Sequence, residues 1–146
     1  MTSCILSEDE IEATIREFLK RNDFIVKKRE SIVGVDIFAE KENKVFLIEC
    51  KGNKRKDERE TKGSQYDVHL GESFFQIAKR MEEFKNNAEY IIAFPMSEKI
   101  LKRIKDRNYF RKLNKINYLF VDENKKLRAL KFDKHDVIEV IHDLVL

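Results

Sequence analysis

The chain has 146 residues, the usual size of one compact domain. Apolar types make up 42% of it and charged types 39%, well above the usual quarter, so a real core lies beneath a densely charged surface. One proline, four glycines, a net charge of only +3 and no low-complexity tract exclude a disordered chain, a collagen-like repeat and a flexible multi-module protein.

The first residues, MTSCILSEDE, lack the basic flank and apolar run of a signal peptide, and no stretch approaches about eighteen consecutive apolar residues. A soluble, cytoplasmic protein with no membrane partner is expected. Residues 7 to 22 place Ile11, Ile15, Phe18 and Leu19 at helical spacing behind Ser7 as N-cap. Phe24 to Lys27, Val33 to Ala39 and Val45 to Cys50 are short β-rich runs that read as a three-stranded antiparallel meander. Residues 52 to 71 form a long polar stretch, read as a substrate-facing loop. Glu72 to Asn87 returns to helical spacing, with Phe74, Phe75 and Phe84 assigned to the core, and Tyr90 to Phe94 is a buried-type strand ended by Pro95. Ser97 opens a basic helical segment to residue 115. Tyr118 to Val121 and Leu127 to Phe132 read as strands, and His135 to Leu144 as a closing helix. The expected order, α-β-β-β-α-β-α-β-β-α, is that of a mixed-sheet α/β core flanked by helices within a single domain, 1 to 146. Cys4 and Cys50 are too few for a disulfide framework or metal cluster and read as reduced thiols.

Chemistry concentrates on the second and third strands. In VFLIECKG, Glu49 and Lys51 stand two residues apart and leave the same face as Val45 and Leu47, while Phe46, Ile48 and Cys50 leave the other. In GVDIFA, Asp36 is a lone acid among apolar neighbours. A hairpin with residues 41 to 44 as its loop pairs Glu40 with Val45 and, counting outward, sets Asp36 opposite Glu49. Opposed side chains lie with Cβ atoms roughly 4.5 to 5.5 Å apart, and two carboxylates so placed repel unless a positive charge separates them. A hard divalent cation, Mg²⁺ or Mn²⁺, supplies that charge, with the backbone carbonyl of Cys50 as a further oxygen ligand; the scarcity of histidine and cysteine disfavours zinc. An acid pair with Lys51 beside such an ion suits metal-assisted phosphodiester hydrolysis.

GVDIFA followed by VFLIECKG resembles the PD-(D/E)XK nuclease superfamily, with Asp36 as the leading acid and Glu49, Cys50 and Lys51 as the acid-x-lysine triplet. Val35 stands where that pattern often has proline. The resemblance covers about residues 10 to 95. It implies a restriction-endonuclease-like fold, catalytic Asp36, Glu49 and Lys51, a metal-site acid on the first helix, for which Glu12 is the nearest match with Glu8 and Glu10 as substitutes, and a helical glutamine, Gln76. The function expected is hydrolysis of DNA by a metal-dependent endonuclease. The rival reading is a catalytically inactive nuclease-fold module for nucleic-acid binding or protein assembly.

Glu-x-Lys is cheap in so charged a chain and recurs at Glu42, Glu60, Glu83 and Glu123. Only the copy at Glu49 follows an apolar strand and faces an acid on a partner strand. The bland alternative for these residues is a salt-bridge cluster on a hairpin, worth about 0 to 1 kcal/mol per exposed pair. His69, His135 and His142 fall at no ligand spacing and read as surface or packing residues. Between Lys99 and Lys115, eight basic residues stand against one acid, Asp106, an imbalance that favours phosphate contact through Lys102, Arg103 and Lys105. Lys54, Arg55 and Lys56, with Arg59, add cations in the 52 to 71 loop. The partner expected is DNA, with a homodimer or a partner subunit left open, since no separate recognition module is evident.

Overall fold

A computed structural model describes residues 4–28 and 35–141. Helix α1 (Glu8–Arg21) begins in a capping box: Ser7 Oγ accepts from Glu10 N–H, and the Glu10 side chain answers at the Ser7 N–H. Strands β1 (Ile25–Val26), β2 (Ile37–Lys41) and β3 (Lys44–Cys50) form the expected antiparallel meander. Helix α2 (Gly63–Phe84) and a short 3-10 turn cross over to β4 (Glu89–Pro95), which pairs parallel with β3. Helices α3 (Glu98–Lys105) and α4 (Asn108–Leu113) then lead to β5 (Ile116–Val121), parallel to β4, followed by the antiparallel strands β6 (Leu127–Leu130) and β7 (Ile138–Glu139). The seven strands lie in chain order in one mixed sheet, so the fold is α/β.

Strand alternation divides the interior into two apolar layers. Ile37, Ala39, Phe46, Ile48, Cys50, Ile91 and Ala93 pack with Ile11, Ile15 and Leu19 of α1 on one face. On the other, Leu47, Ile92, Phe94, Tyr118 and Phe120 pack with Tyr66, Leu70 and Ile77 of α2 and with Ile100 and Ile104 of α3. Cys4 and Cys50 are both buried and free.

Four expectations need correction. The 52 to 71 segment is loop only as far as Lys62, because α2 starts at Gly63 and carries its buried stripe back through Tyr66 and Leu70. Gly71 does not break it: a Cβ there would meet nothing within 4 Å, so the residue sits on the open side of the helix. That stripe turns Phe75 outward, 79% exposed, whereas Phe74 and Phe84 pack against the core as expected. The basic segment is two helices rather than one. The residues around Val137 to Ile141 form β7 and its flanks instead of a closing helix, as the β-branched sequence VIEVI favours. Val33 and Gly34 of the second strand, and residues 142 to 144 of the closing helix, lie outside the described residues.

Candidate active site

The β2–β3 hairpin turns on two residues, Glu42 and Asn43, both with positive φ (50° and 66°), as a tight two-residue hairpin requires. Lys41 and Lys44 therefore pair with each other rather than lying in a loop. The trimming is symmetric, so the register stays as expected, with Glu40 opposite Val45 and Ile37 opposite Ile48. Asp36 stands one residue before β2, and its Oδ2 accepts the backbone N–H of Cys50 at 2.8 Å. The acid thus replaces a rung of the ladder at the end of the hairpin. Behind it, Arg16 of α1 donates to the backbone carbonyl of Asp36 at 2.6 Å and to that of Lys27 at 3.0 Å.

Glu49 points to the α2 side of the sheet and is only 2% exposed. Burial, the Asp36 charge and a hydrogen bond shared with Asp36 push its carboxyl up from 4.5 to about 8, against the partial relief of Lys51 and Arg80. At neutral pH Glu49 therefore favours its protonated form. Glu49 Oε1 is buried and has no hydrogen-bond partner. Lys51 follows on the same face, its backbone N–H bonded to Ala93 and its Nζ 3.4 Å from Glu72 Oε2 of α2.

Helix α2 supplies the opposing wall. His69, Gln76 and Arg80 recur near helical spacing. Gln76 Oε1 and His69 Nδ1 are both buried without a hydrogen-bond partner. Arg80, 6% exposed, bonds Glu83 at 3.1 Å and lends positive charge to Glu49. Burial and the nearby Lys51 lower the pKa of His69, partly countered by Glu72, and so favour the neutral ring. Neither His69 nor Arg80 is among the site residues expected from sequence. Their signal is helical spacing from Gln76, four residues on for Arg80 and seven back for His69, the latter visible only once 63 to 71 is read as helix.

Glu12 lies on the α1 side, its Oε2 bonded to Arg16 Nε at 3.0 Å. Its charge and that of Glu8 reach Cys50, where with Asp36 and Glu49 they add to burial in raising the thiol pKa. Glu10 is engaged elsewhere: Lys54 Nζ lies 2.7 Å from Oε1 and Lys125 Nζ 3.4 Å from Oε2, and its pKa falls to about 2.

The fit to a divalent cation rests on the donors. Glu49 and Gln76 offer buried oxygens without partners, Asp36 adjoins Glu49, and the Cys50 carbonyl leaves the strand on the same edge as the N–H that Asp36 holds. All are hard oxygen donors of the kind Mg²⁺ and Mn²⁺ take. Among the described residues, no group of three or more His, Cys, Asp or Glu side chains is placed to hold an ion. A cation here would therefore bind two carboxylates, with amide or carbonyl oxygen and water completing the shell.

The loop and the N-terminal segment fix this corner. A Cβ on Gly52 would lie 2.4 Å from Glu8 N and 2.7 Å from Ser7 C, so only glycine lets α1 start so close to Lys51. Asn53, fully buried, accepts from Leu6 N–H at 2.9 Å and donates to the Cys4 carbonyl at 2.7 Å and to Tyr66 Oη at 3.1 Å.

The expected nucleic-acid contacts divide. Lys54 is paired with Glu10, and Arg55 Nη2 with Asp57 at 3.2 Å, while Lys56 is exposed. Arg103 bonds Asp67 at 3.2 Å and lies over the Tyr66 ring; Arg107 also reaches Asp67, and Lys99 reaches Glu60. The basic segment is thus partly neutralised by α2 and the loop. Lys102 and Lys105 are exposed with no ion pair among the described residues. No described helix is long and apolar enough to cross a membrane. In comparison with known proteins, no family model, no curated protein and no solved structure matches this chain.

Proposed function

We propose that the chain is a metal-dependent endonuclease that hydrolyses DNA phosphodiester bonds. The observation that carries this reading is Asp36 beside a buried Glu49 that has one oxygen unpartnered and stands two residues before Lys51. Burying an unpaired carboxyl is costly, and the arrangement makes physical sense as a site that exchanges its proton for a cation. Asp36, Glu49 and the Cys50 carbonyl would hold Mg²⁺ or Mn²⁺, with Gln76 presenting its amide oxygen from α2. When bound, the ion supplies Lewis acidity toward the phosphate. Lys51 then offsets negative charge developing on the phosphoryl oxygens, and Glu72 orients its ammonium. Arg80 balances the second carboxylate from behind. Glu12, bonded to Arg16, serves this reading by steadying the guanidinium that clamps the Asp36 backbone.

The rival, an inactive module that binds nucleic acid or assembles with protein, draws support from the occupied Glu12 and from the two-carboxylate donor set. The test is cleavage of linear, nicked, branched and single-stranded DNA with and without Mn²⁺. Wild type should cut only with the ion, and Asp36→Asn and Lys51→Ala should each lose cleavage while keeping the wild-type circular dichroism spectrum. Cleavage at the wild-type rate by either variant would remove the mechanism, and an inert wild type would favour the rival.

A further inference from the structure

Between the 54–62 loop and the first turns of α2 lies a cavity of about 600 Å³ whose lining includes Lys54, Arg55, Lys56, Lys62, Ser64 and His69, and no acidic side chain. Glu10 and Asp57 meet Lys54 and Arg55 from outside it. Lys56 and Lys62 are exposed with no ion pair among the described residues, so the cavity keeps a positive balance. At its edge α2 begins without a side-chain cap at Lys62 and without an acid in its first turn. The leading N–H groups therefore receive no capping side chain from Lys62, and no first-turn acid offsets the positive end of the helix dipole. His69 is also among the lining residues, and its Nδ1 is buried without a hydrogen-bond partner. His69 stands three residues before Glu72 on α2, whose carboxylate meets Lys51, so the cavity lies next to the candidate active site.

We propose that this cavity is a phosphate subsite, which holds a phosphate of the nucleic-acid strand beside the one presented to Lys51. The assignment rests on the nuclease reading above and extends it with a second anchoring point. Lys56 and Lys62 donate to the phosphate oxygens, Ser64 donates its hydroxyl and the helix start its amides, and His69 donates a ring N–H. A strand is favoured over a small free phosphate because the positive surface continues beyond the cavity. Helix α3 is tied to the same corner through Arg103 with Asp67 and Lys99 with Glu60, and it presents exposed Lys102 and Lys105.

The test uses the full chain carrying Asp36→Asn, in EDTA, so that cleavage plays no part. Affinity for a short single-stranded DNA is measured by fluorescence anisotropy across a salt series, with and without Lys56→Gln and Lys62→Gln together. The paired substitution should flatten the slope of log K against log salt by about 0.7, the contribution of one phosphate neutralised on a single strand. In parallel, the His69 imidazole resonances, assigned by their disappearance in His69→Asn, should move when the DNA is added and stay still in the double variant. An unchanged slope, or His69 resonances that ignore DNA, overturns the subsite. Resonances that respond to pyrophosphate but not to DNA overturn the strand assignment in favour of a small phosphate ligand. Failure of the nuclease reading shows separately, as DNA left intact by wild type in Mn²⁺ while this binding persists.

Discussion

Replacing Glu49 by glutamine should stabilise the protein in EDTA, by an amount that grows with pH. The folded carboxyl titrates near 8 rather than 4.5, so the folded state prefers the protonated form. For an acid with a raised pKa, the stabilising contribution is complete below the unfolded value and is lost as pH rises through the folded one. Across the window from 4.5 to about 8, wild type should lose about 1.4 kcal/mol per pH unit relative to Glu49→Gln, whose amide does not titrate. Between pH 5.5 and pH 8.5 the gap between the two proteins should widen by roughly 3 kcal/mol. Burial of Glu49 to 2% exposure leaves little solvent screening to shrink that figure. Urea unfolding at those two pH values, in EDTA, reads the difference directly. Added Mn²⁺ should close the gap at high pH by taking the place of the proton in wild type alone. A gap that is the same at both pH values would refute the raised pKa of Glu49, whatever its sign.

Three further outcomes follow from the packing. Gly52→Ala drives a Cβ into the backbone of Ser7 and Glu8 and should cost about 1 to 3 kcal/mol in chemical denaturation, with a fall in cleavage because Lys51 is adjacent; a neutral variant would contradict the close approach. Asn53→Ala strips a buried acceptor from Leu6 N–H and a donor from the Cys4 carbonyl, and should cost about 2 to 4 kcal/mol by the same measurement. Phe75→Ser, at a side chain 79% exposed, should leave stability within about 0.5 kcal/mol, and a larger drop would put that ring back in the core.

The hairpin was legible because its information is local. Strand alternation in VFLIECKG separates Leu47 and Glu49 from Ile48 and Cys50, and the two clusters of the core divide in that way. Even the misjudged turn did no harm, since removing Lys41 and Lys44 from the loop takes one residue from each side. The alternation does fail before Asp36: Val35 packs on the α2 side with Leu47, while Ile37 packs on the other, because the chain bends at the acid. The start of α2 was illegible because its first turns read KGSQYDVHLG, two glycines and mostly polar residues, and their helical state depends on Tyr66 and Leu70 finding the sheet. His69 was hidden with it. The closing segment failed for a different reason, since VIEVI satisfies both periodicities and pairing with β6 decides between them.

Both margins of the sheet are held by strands of two residues, β1 and β7, with Ile25 62% exposed and Ile138 48% exposed. Such brief margins offer few open amides and carbonyls to a foreign strand, which protects a chain with so many β-branched segments from edge-to-edge association. The same brevity makes them the first parts of the sheet to fray. When β1 lets go, the strand it uncovers is β2, five residues long and directly continuous with Asp36. Local melting at that border would loosen the acid before it loosened the core, so amide exchange in β2 would serve as an early gauge of whether the hairpin end is intact.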